Sequence, residues 1–308
     1  MNATLFQQLM KSTVSPYEEL LAYEYLYAQE GMTLKKITGM TVGMGRTPSQ
    51  AMDADSGLFD ARCSDLYRSV EGYLAGKIGT FDLSVNGTSS WPEKLADSQR
   101  PAPVLYYRGS ISLVDTPCVS VVGSRKSTRA GLELAEKIAM QLCEREYGVV
   151  TGLARGIDAA ATRASLMYRV GSIGVIGTPI DEVYPRENEN LFDGILENEG
   201  LIIGQVPFYR YSVQPFKTRR FYFPERNELM AAVSTSTVIV EASDTSGTLS
   251  QARACAYQGR PLFITRHATM SQGATWPAKW LEREGVYLID DGDDVADVLD
   301  SLLSGETR

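Results

Sequence analysis

The 308-residue sequence contains a single histidine and only four cysteines. One imidazole, that of His267, cannot form a histidine cluster around a metal ion, and the motifs of a Ser-His-Asp triad are missing. The widely spaced Cys63, Cys118, Cys143 and Cys255 form no CxxC pair and no disulfide framework. This usage is typical of reduced thiols in a cytoplasm, and we expect neither a metal site nor a cofactor.

Long apolar runs are also missing. No segment approaches the roughly 20 apolar residues that span a bilayer, and Met1–Thr4 does not resemble the basic start of a signal peptide. We therefore expect a cytoplasmic protein without a membrane partner. The length predicts about two domains, and an apolar fraction of 44 % allows a large core.

The chain has no overall excess of positive charge, because its formal net charge is −8. This argues against a surface coated with cations for nucleic acid. The charges are unevenly distributed, however. Residues 123–130 include three basic and no acidic side chains, residues 210–228 include five basic and two acidic ones, and residues 290–300 include six aspartates. The pattern is compatible with a local basic groove on an acidic protein.

The N-terminal part differs in character from the rest of the chain. Residues 1–80 are predicted to form a small helical domain, since Tyr17–Gln29 and Arg62–Leu74 are rich in helix-favouring residues. Residues 81–116 are predicted to be a connector, and within it Val104–Gly109 is predicted to be an edge strand.

Residues 117–308 alternate short β-branched runs with helical segments and end in the acidic tail. This order predicts an α/β fold in which a Rossmann-like, mostly parallel sheet has helices on both faces. In such sheets ligands bind beyond the carboxyl ends of the strands.

Three glycine turns each follow a predicted strand and precede a helix. They include Gly123, Ser124, Arg125 and Lys126; Gly152, Arg155, Gly156 and Asp158; and Ser246, Gly247 and Thr248. Helix N-termini attract anions, so three such turns on one sheet edge would suit phosphates. The first turn lacks both the full GxGxxG pattern and the Walker A lysine, so an ordinary strand-to-helix turn, capped by Ser127 or Thr128, stays open. Asp158 is either a binding residue or an N-cap.

Basic and aromatic residues interleave in residues 215–227. Cations that follow the phosphate backbone and rings that stack on bases are the chemistry of single-stranded nucleic-acid binding. The alternative is a loop whose aromatic rings pack on the sheet. The candidate binding residues here are Lys217, Arg219, Arg220, Phe223, Arg226 and Asn227.

Several motifs together resemble the DNA processing protein A (DprA, also called Smf) family. They occur in the family's order over roughly residues 90–265. The matching segments are Val121–Lys126, Thr151–Ala160, Val183–Asn188, Phe223–Asn227, Val240–Ala242, Ser246–Thr248 and Gln258–Arg260.

This resemblance implies an extended Rossmann-like domain that dimerises and binds single-stranded DNA. Members of the family protect incoming DNA in natural transformation and help to load the recombinase RecA. By analogy, Gly123, Ser124 and Arg125 would contact the DNA backbone, Phe223 would lie near a base, and Lys217 or its basic neighbours would contact phosphate.

The chain also departs from the family's usual pattern. It has Thr265–His267 where a proline-glycine is usual, Ala161–Thr162 where a histidine follows the alanine pair, and Glu225 where a basic residue is common. Its acidic C-terminal tail leaves no room for a winged helix. We therefore expect a divergent member without that domain.

A nucleotide-binding sensor or a nucleotide N-glycosidase is the alternative function, because the sheet is also similar to that of the LOG-type phosphoribohydrolases. Those enzymes have a glutamate where this chain has Gln251, and an amide cannot act as a general base. Glu241 is the nearest substitute, and Arg226 could hold a phosphate under either function.

Overall fold

The computed structural model describes residues 14–56, 61–270 and 273–304. Among the described residues, four helices precede the sheet. They are α1 (Pro16–Ala28), α2 (Leu34–Met40), α3 (Pro48–Ser56) and α4 (Asp65–Leu74). Helix α1 begins where Ser15 Oγ accepts a hydrogen bond from the N–H of Glu18, and Pro16 occupies the first turn.

Nine strands form one sheet in the order β1-β2-β6-β5-β4-β3-β7-β8-β9. The first two pairings are antiparallel and the others are parallel, which confirms the predicted α/β class. The strands are β1 (Asp82–Val85), β2 (Val104–Gly109), β3 (Cys118–Gly123), β4 (Gly148–Thr151), β5 (Ser172–Val175), β6 (Leu201–Gly204), β7 (Ser236–Glu241), β8 (Leu262–Thr265) and β9 (Val286–Ile289).

The predicted connector contributes two strands to this sheet. Val104–Gly109 was expected at the edge, but β2 lies second because β1 pairs with its outer side. The short segment before β2 thus provides the edge strand instead. The domain boundaries at residues 80 and 116 stay predictions.

Nine further helices accompany the strands from residue 129 onward within the described part. They are α5 (Arg129–Glu144), α6 (Ile157–Ser165), α7 (Glu189–Glu197), α8 (Phe208–Val213), α9 (Tyr222–Val233), α10 (Thr248–Tyr257), α11 (Arg266–Thr269), α12 (Trp276–Leu281) and α13 (Gly292–Ser304). None of the helices described, from α1 to α13, combines the length and apolar character that crossing a membrane requires.

Alternate residues of the strands enter different apolar cores. On one face Val122, Val150 and Ile239 pack with α9, α10 and α12. On the other face α5, α6 and α13 cover one half of the sheet. The N-terminal helices cover the remaining half, together with α7 and α8. Strands that are buried on both faces explain the continuous β-branched runs in the sequence.

The N-terminal tyrosines belong to this core. Tyr23, Tyr25 and Tyr27 are all buried, with at most 9 % of each residue exposed, and the Tyr23 hydroxyl donates to the carbonyl of Gln205 (3.1 Å). They pack the helices onto the sheet and offer no rings to a ligand.

Candidate nucleic-acid interface

The three predicted glycine turns lie side by side. They follow β4, β3 and β7, which are neighbouring parallel strands, so they share the edge at the carboxyl ends. The N–H of Ser124 donates to the carbonyl of Glu241 (2.7 Å), and Thr248 Oγ1 donates to the carbonyl of Gly123 (3.1 Å). The predicted clustering of the turns is confirmed, whereas phosphate binding by them stays a prediction.

Close approaches require glycine at two positions in the second turn. Gly156 has a φ of +74°, and a Cβ there would lie 2.3 Å from the carbonyl oxygen of Ser124. A Cβ on Gly152 would lie 1.8 Å from Nη1 of Arg226. The N–H of Gly152 donates to Asp158 Oδ2 (3.0 Å). The Gly152 N–H is therefore not available to a phosphate, because it already donates to a carboxylate.

Arg125 and Lys126 extend from the first turn and are exposed. Neither side chain forms an ion pair with a described residue, in contrast to Arg155, whose Nε lies 2.5 Å from Glu187 Oε1. The turn ends at Thr128, whose Oγ1 accepts a hydrogen bond from the N–H of Gly131 in the first turn of α5 (3.0 Å). Thr128, and not Ser127, is thus the N-cap of α5.

Two adjoining cavities open along this edge. One of about 640 Å³ lies between the first and third turns, and one of about 770 Å³ lies between the first two turns and the loop before α7. Both are lined by Arg125, Lys126, Ala154, Phe223 and Arg226, so they form one continuous trough. The smaller cavity is also lined by Gly123, Ser124, Asn227, Ser246, Gly247 and Thr248. The larger one is also lined by Gly152, Arg155, Tyr184 and Arg186.

Arg226 forms the floor where the two cavities meet. Only 7 % of the residue is exposed. Its Nη1 donates to the carbonyls of Gly152 (2.7 Å) and Val175 (2.9 Å), and its Nε donates to Asn227 Oδ1 (3.0 Å). Burial lowers the pKa of Arg226 to about 10, although the nearby Asp158 carboxylate opposes the shift. Arg226 therefore ties α9 to the ends of β4 and β5, and its contact with phosphate stays a prediction.

Asp158 lies beneath the second turn. Burial raises the pKa of Asp158, while the Arg226 guanidinium and the turn's N–H groups oppose that rise. The N-cap of α6 is Gly156, so the N-cap expected at Asp158 is wrong. Its carboxylate instead holds the turn in shape.

Hydroxyl and amide groups line the far end of the smaller cavity. Asn227 Nδ2 donates to Ser250 Oγ, and Ser246 Oγ donates to Thr248 Oγ1 (2.8 Å). Gly247 is exposed, and a Cβ there would meet nothing within 4 Å. Close packing therefore does not require glycine at this position.

Phe223 lies on the wall between the two cavities. Its ring packs against Gly177, where a Cβ would lie 2.8 Å from Phe223 Cδ1. The Arg125 guanidinium lies 5.8 Å from the Phe223 ring centre, and the Tyr184 ring lies 5.9 Å from it. The sequence reasoning did not select Tyr184 or Arg186, although both belong to the motif Val183–Asn188 on which the family resemblance partly depends.

The basic and aromatic segment divides between several surroundings. Arg219 lies over the Tyr211 ring at 4.4 Å and lines a further cavity beside the trough. Lys217 and Arg220 are exposed and line none of the cavities described here. Tyr222 is buried, at 6 % exposure, against the rings of Tyr27 and Tyr211 on two helices. The alternative in which the rings pack on the sheet is wrong for two others, which stay in solvent. These rings are Phe216 at 80 % and Phe221 at 61 % exposure.

Glu241, the possible substitute for a catalytic glutamate, does not line either cavity. It accepts from Thr128 Oγ1 (2.7 Å) and from the N–H of Thr128, and its Oε2 lies 3.2 Å from His267 Nε2. Burial alone would raise the pKa of Glu241, but these hydrogen bonds lower it below its ordinary value. The residue at the cavity wall is Gln251, an amide. In the described residues, no cluster of three or more acidic, His or Cys side chains could hold a metal.

Comparison with known families and curated proteins gives a consistent result. The family described as DNA recombination-mediator protein A matches residues 83–300. "DNA processing protein DprA" of Streptococcus pneumoniae (strain ATCC BAA-255 / R6) is 34 % identical over 205 residues, which cover 67 % of this chain and 70 % of that protein. The protein of the same name from Bacillus subtilis (strain 168) is 27 % identical over 235 residues, or 76 % and 75 % of the two chains.

Solved structures extend this likeness to the fold. The X-ray structure of DprA from Streptococcus pneumoniae matches with a TM-score of 0.72 at 27 % identity, over 92 % of this chain and 97 % of that one. A structure of DprA from Helicobacter pylori, described as giving insight into its unique single-stranded DNA binding mode, matches with a TM-score of 0.60. Its identity is 24 %, over 72 % of this chain and 97 % of that one. The resemblance found in the motifs is thereby confirmed, and this chain belongs to the DNA recombination-mediator protein A family, also called DprA or Smf.

Proposed function

We propose that this chain binds single-stranded DNA along the trough and acts as a recombination mediator in DNA processing, recombination or DNA uptake. The observation that carries this proposal is the pair of unpaired cations, Arg125 and Lys126, at the wall common to both cavities. Together with Phe223 they place positive charge beside an aromatic ring, which is the combination that a single strand requires. Arg186 extends the positive charge along the larger cavity, which Arg155 also lines while paired with Glu187.

A salt series tests this proposal. The affinity for a single-stranded oligonucleotide should fall linearly with the logarithm of salt concentration, because neutralised phosphates release counterions. Duplex DNA of the same length should bind more weakly, since its stacked bases are closed to the Phe223 ring. The matched control is Arg163→Ala, which removes an exposed arginine that lies on α6 and lines none of these cavities. Equal retention of single-stranded and duplex DNA at every salt concentration would contradict the proposal.

Homodimer formation and the loading of a RecA-type recombinase are further parts of this proposal. They rest on the family alone, because no residue of the trough identifies a protein partner. Mass measurement of the particle in solution tests the dimer. A recombinase-filament assay on DNA precoated with a single-strand binding protein tests the loading, and unchanged filament growth in the presence of this chain would exclude it.

The nucleotide N-glycosidase alternative receives less support from the site. An amide, Gln251, lines the cavity where a carboxylate would be needed, and Glu241 is held by Thr128 away from the cavity wall. We expect no free base when the chain is incubated with nucleoside monophosphates. Base release that is lost in Glu241→Gln would favour the enzyme instead.

A further inference from the structure

Tyr184 is a half-exposed aromatic residue in the loop that joins β5 to α7. Half of the residue, 50 %, is open to solvent. Its ring packs against Phe223 at a centroid distance of 5.9 Å and an angle of 48°. No hydrogen bond to its hydroxyl is found within the described part of the chain. The core therefore does not account for an aromatic side chain at this position.

The support beneath Tyr184 is fixed by the surrounding structure. Phe223 lies directly on Gly177, where even a Cβ would be only 2.8 Å from the ring. The loop of Tyr184 is fastened at Asn188, whose Nδ2 donates to the carbonyls of Leu153 (2.9 Å) and Ala154 (3.1 Å). The position of the Tyr184 ring is thus set before any ligand arrives, which lowers the entropy cost of binding.

The surface around this ring is positively charged. Arg125 and Lys126 line the larger cavity from the first turn, Arg155 lines it from the second turn, and Arg186 lines it from the loop that holds Tyr184. Two carboxylates are present, those of Glu182 and Glu187, and Glu187 is paired with Arg155. An exposed ring in a cavity that is lined by these cations fits a flat, aromatic group that is linked to phosphates.

We propose that Tyr184, supported by Phe223, is a stacking platform for one unpaired nucleobase of the bound strand. The tilt between the two rings leaves no parallel slot for a base between them, so the base lies on the outer face of Tyr184. The flanking phosphates then lie near the cations that line the same cavity. This inference rests on the proposed binding of single-stranded DNA and names the base contact that accompanies it. Base stacking on an aromatic side chain tolerates any sequence, because every base has a π face.

The experiment compares Tyr184→Ala and Tyr184→Phe with wild type on a short oligonucleotide and on the same oligonucleotide with abasic positions. Loss of one stacked base should weaken binding of normal DNA by Tyr184→Ala about 5- to 150-fold. Tyr184→Phe keeps the ring and should bind within about twofold of wild type, on the same reasoning. The slope of affinity against salt should not change, because no cation is removed.

The abasic oligonucleotide separates stacking from a structural effect. Without bases, wild type and Tyr184→Ala should bind equally. The matched control is Tyr257→Ala, because Tyr257 is 55 % exposed, packs against Arg100 and lies outside the trough. An equal loss on normal and abasic DNA, or no loss in Tyr184→Ala while wild type binds well, would overturn the stacking platform alone. Absence of binding by wild type would overturn the proposed function as well.

Discussion

The acidic helix α13 and the sheet edge that contains the glycine turns differ in whether their charged side chains have ion-pair partners. In α13 and the residues before it, aspartates are paired with cations of the protein itself: Asp300 accepts from Arg145 (2.7 Å) and Asp291 accepts from Lys137 (2.8 Å). Arg125 and Lys126 have no such partner among the residues described. One edge of this acidic protein therefore carries positive charge that no carboxylate of the described residues neutralises. The formal net charge of −8 does not reveal this local excess.

The comparison also shows where the acidic tail lies. Helix α13 packs on α5, with Gly292 close to Ile138, and Tyr147, just after α5, donates to Asp300 (2.6 Å). None of the aspartates of residues 290–300 lines the trough. Within this structure the tail neutralises the back of α5 and leaves the basic edge open.

Reversing the unpaired charges of Arg125 and Lys126 should have the largest effect, which is a loss of affinity for single-stranded DNA. The double variant Arg125→Glu/Lys126→Glu should bind single-stranded DNA on the order of 100-fold more weakly at 0.1 M salt, with a salt slope smaller by about 2. Fluorescence anisotropy over a salt series measures both quantities. Lys137 is paired with Asp291, so Lys137→Glu should change the affinity by less than about threefold. A similar loss from either side would show that only net charge matters.

Disturbing the close packing of the turns should have the next largest effect, which is a loss of stability. Gly156→Ala should lower the free energy of unfolding by about 3 kcal/mol, since it combines a positive φ with a Cβ 2.3 Å from a backbone oxygen. Gly247→Ala, in the neighbouring turn, has open space and helical angles, so its change should stay within about 0.5 kcal/mol. Denaturant unfolding of both variants gives the two values. Equal stability would mean that the turns are not interlocked.

Two carboxylates, those of the buried Glu24 and the partly buried Glu225, form no ion pair with a described residue, and their pH dependence differs from that of the paired aspartates. Burial raises the pKa of Glu24 to about 7, although hydrogen bonds from Phe208 N–H and the Tyr106 hydroxyl oppose it; burial likewise raises that of Glu225 to about 7. A folded-state pKa above the unfolded value of 4.5 means that this stability is present in acid and is lost as pH rises through about 7. We expect a loss on the order of 2 kcal/mol from each of the two groups between pH 5 and pH 8.

Unfolding curves at pH 5, 6, 7 and 8 measure that loss. Glu24→Gln should reduce the slope of stability against pH and leave the contribution of Glu225. The aspartates of the tail behave in the opposite sense, because Arg266 lowers the pKa of Asp290 and Lys137 lowers that of Asp291. Their contribution is lost only as pH falls below about 4. Stability that rises steadily from pH 5 to pH 8 would contradict this interpretation.

Removing a cation that is paired with the aspartates of α13 should have the smallest effect on stability. Arg145→Ala leaves Asp297 without its cation and leaves Asp300 with the Tyr147 hydroxyl alone, but these groups are largely in solvent. The stability should fall by about 0.5–1 kcal/mol at low salt and by less at 1 M salt. DNA affinity should not change. Weaker DNA binding in this variant would show that the tail acts on the basic edge after all.

Much of the fold could be predicted because its signals are local. Val119, Val121 and Val122 form a short apolar run that predicts a buried strand, and the glycine after them predicts a turn. The true position of β2 could not be predicted, since it depends on the pairing of β1 with its outer side. Pairing between segments that are distant in sequence leaves no periodic pattern in either of them.

The candidate site was predicted unevenly for the same reason. The exposure of Arg125 and Lys126 follows from their place in a turn. Arg226 was predicted as a phosphate ligand, and its contacts with Gly152 and Val175 lie 74 and 51 residues away. Only these contacts show that its guanidinium is also held by two backbone carbonyls. Tyr184 was overlooked because its significance comes from its contact with the distant Phe223.

The sequence by itself determined the alternation of strands and helices, the three glycine turns and the family, because each depends on neighbours along the chain. Only the tertiary structure decided which cations are neutralised and which remain open to a ligand. A charged side chain in isolation is the same at every position, and its burial and partners are set by residues that folding brings together.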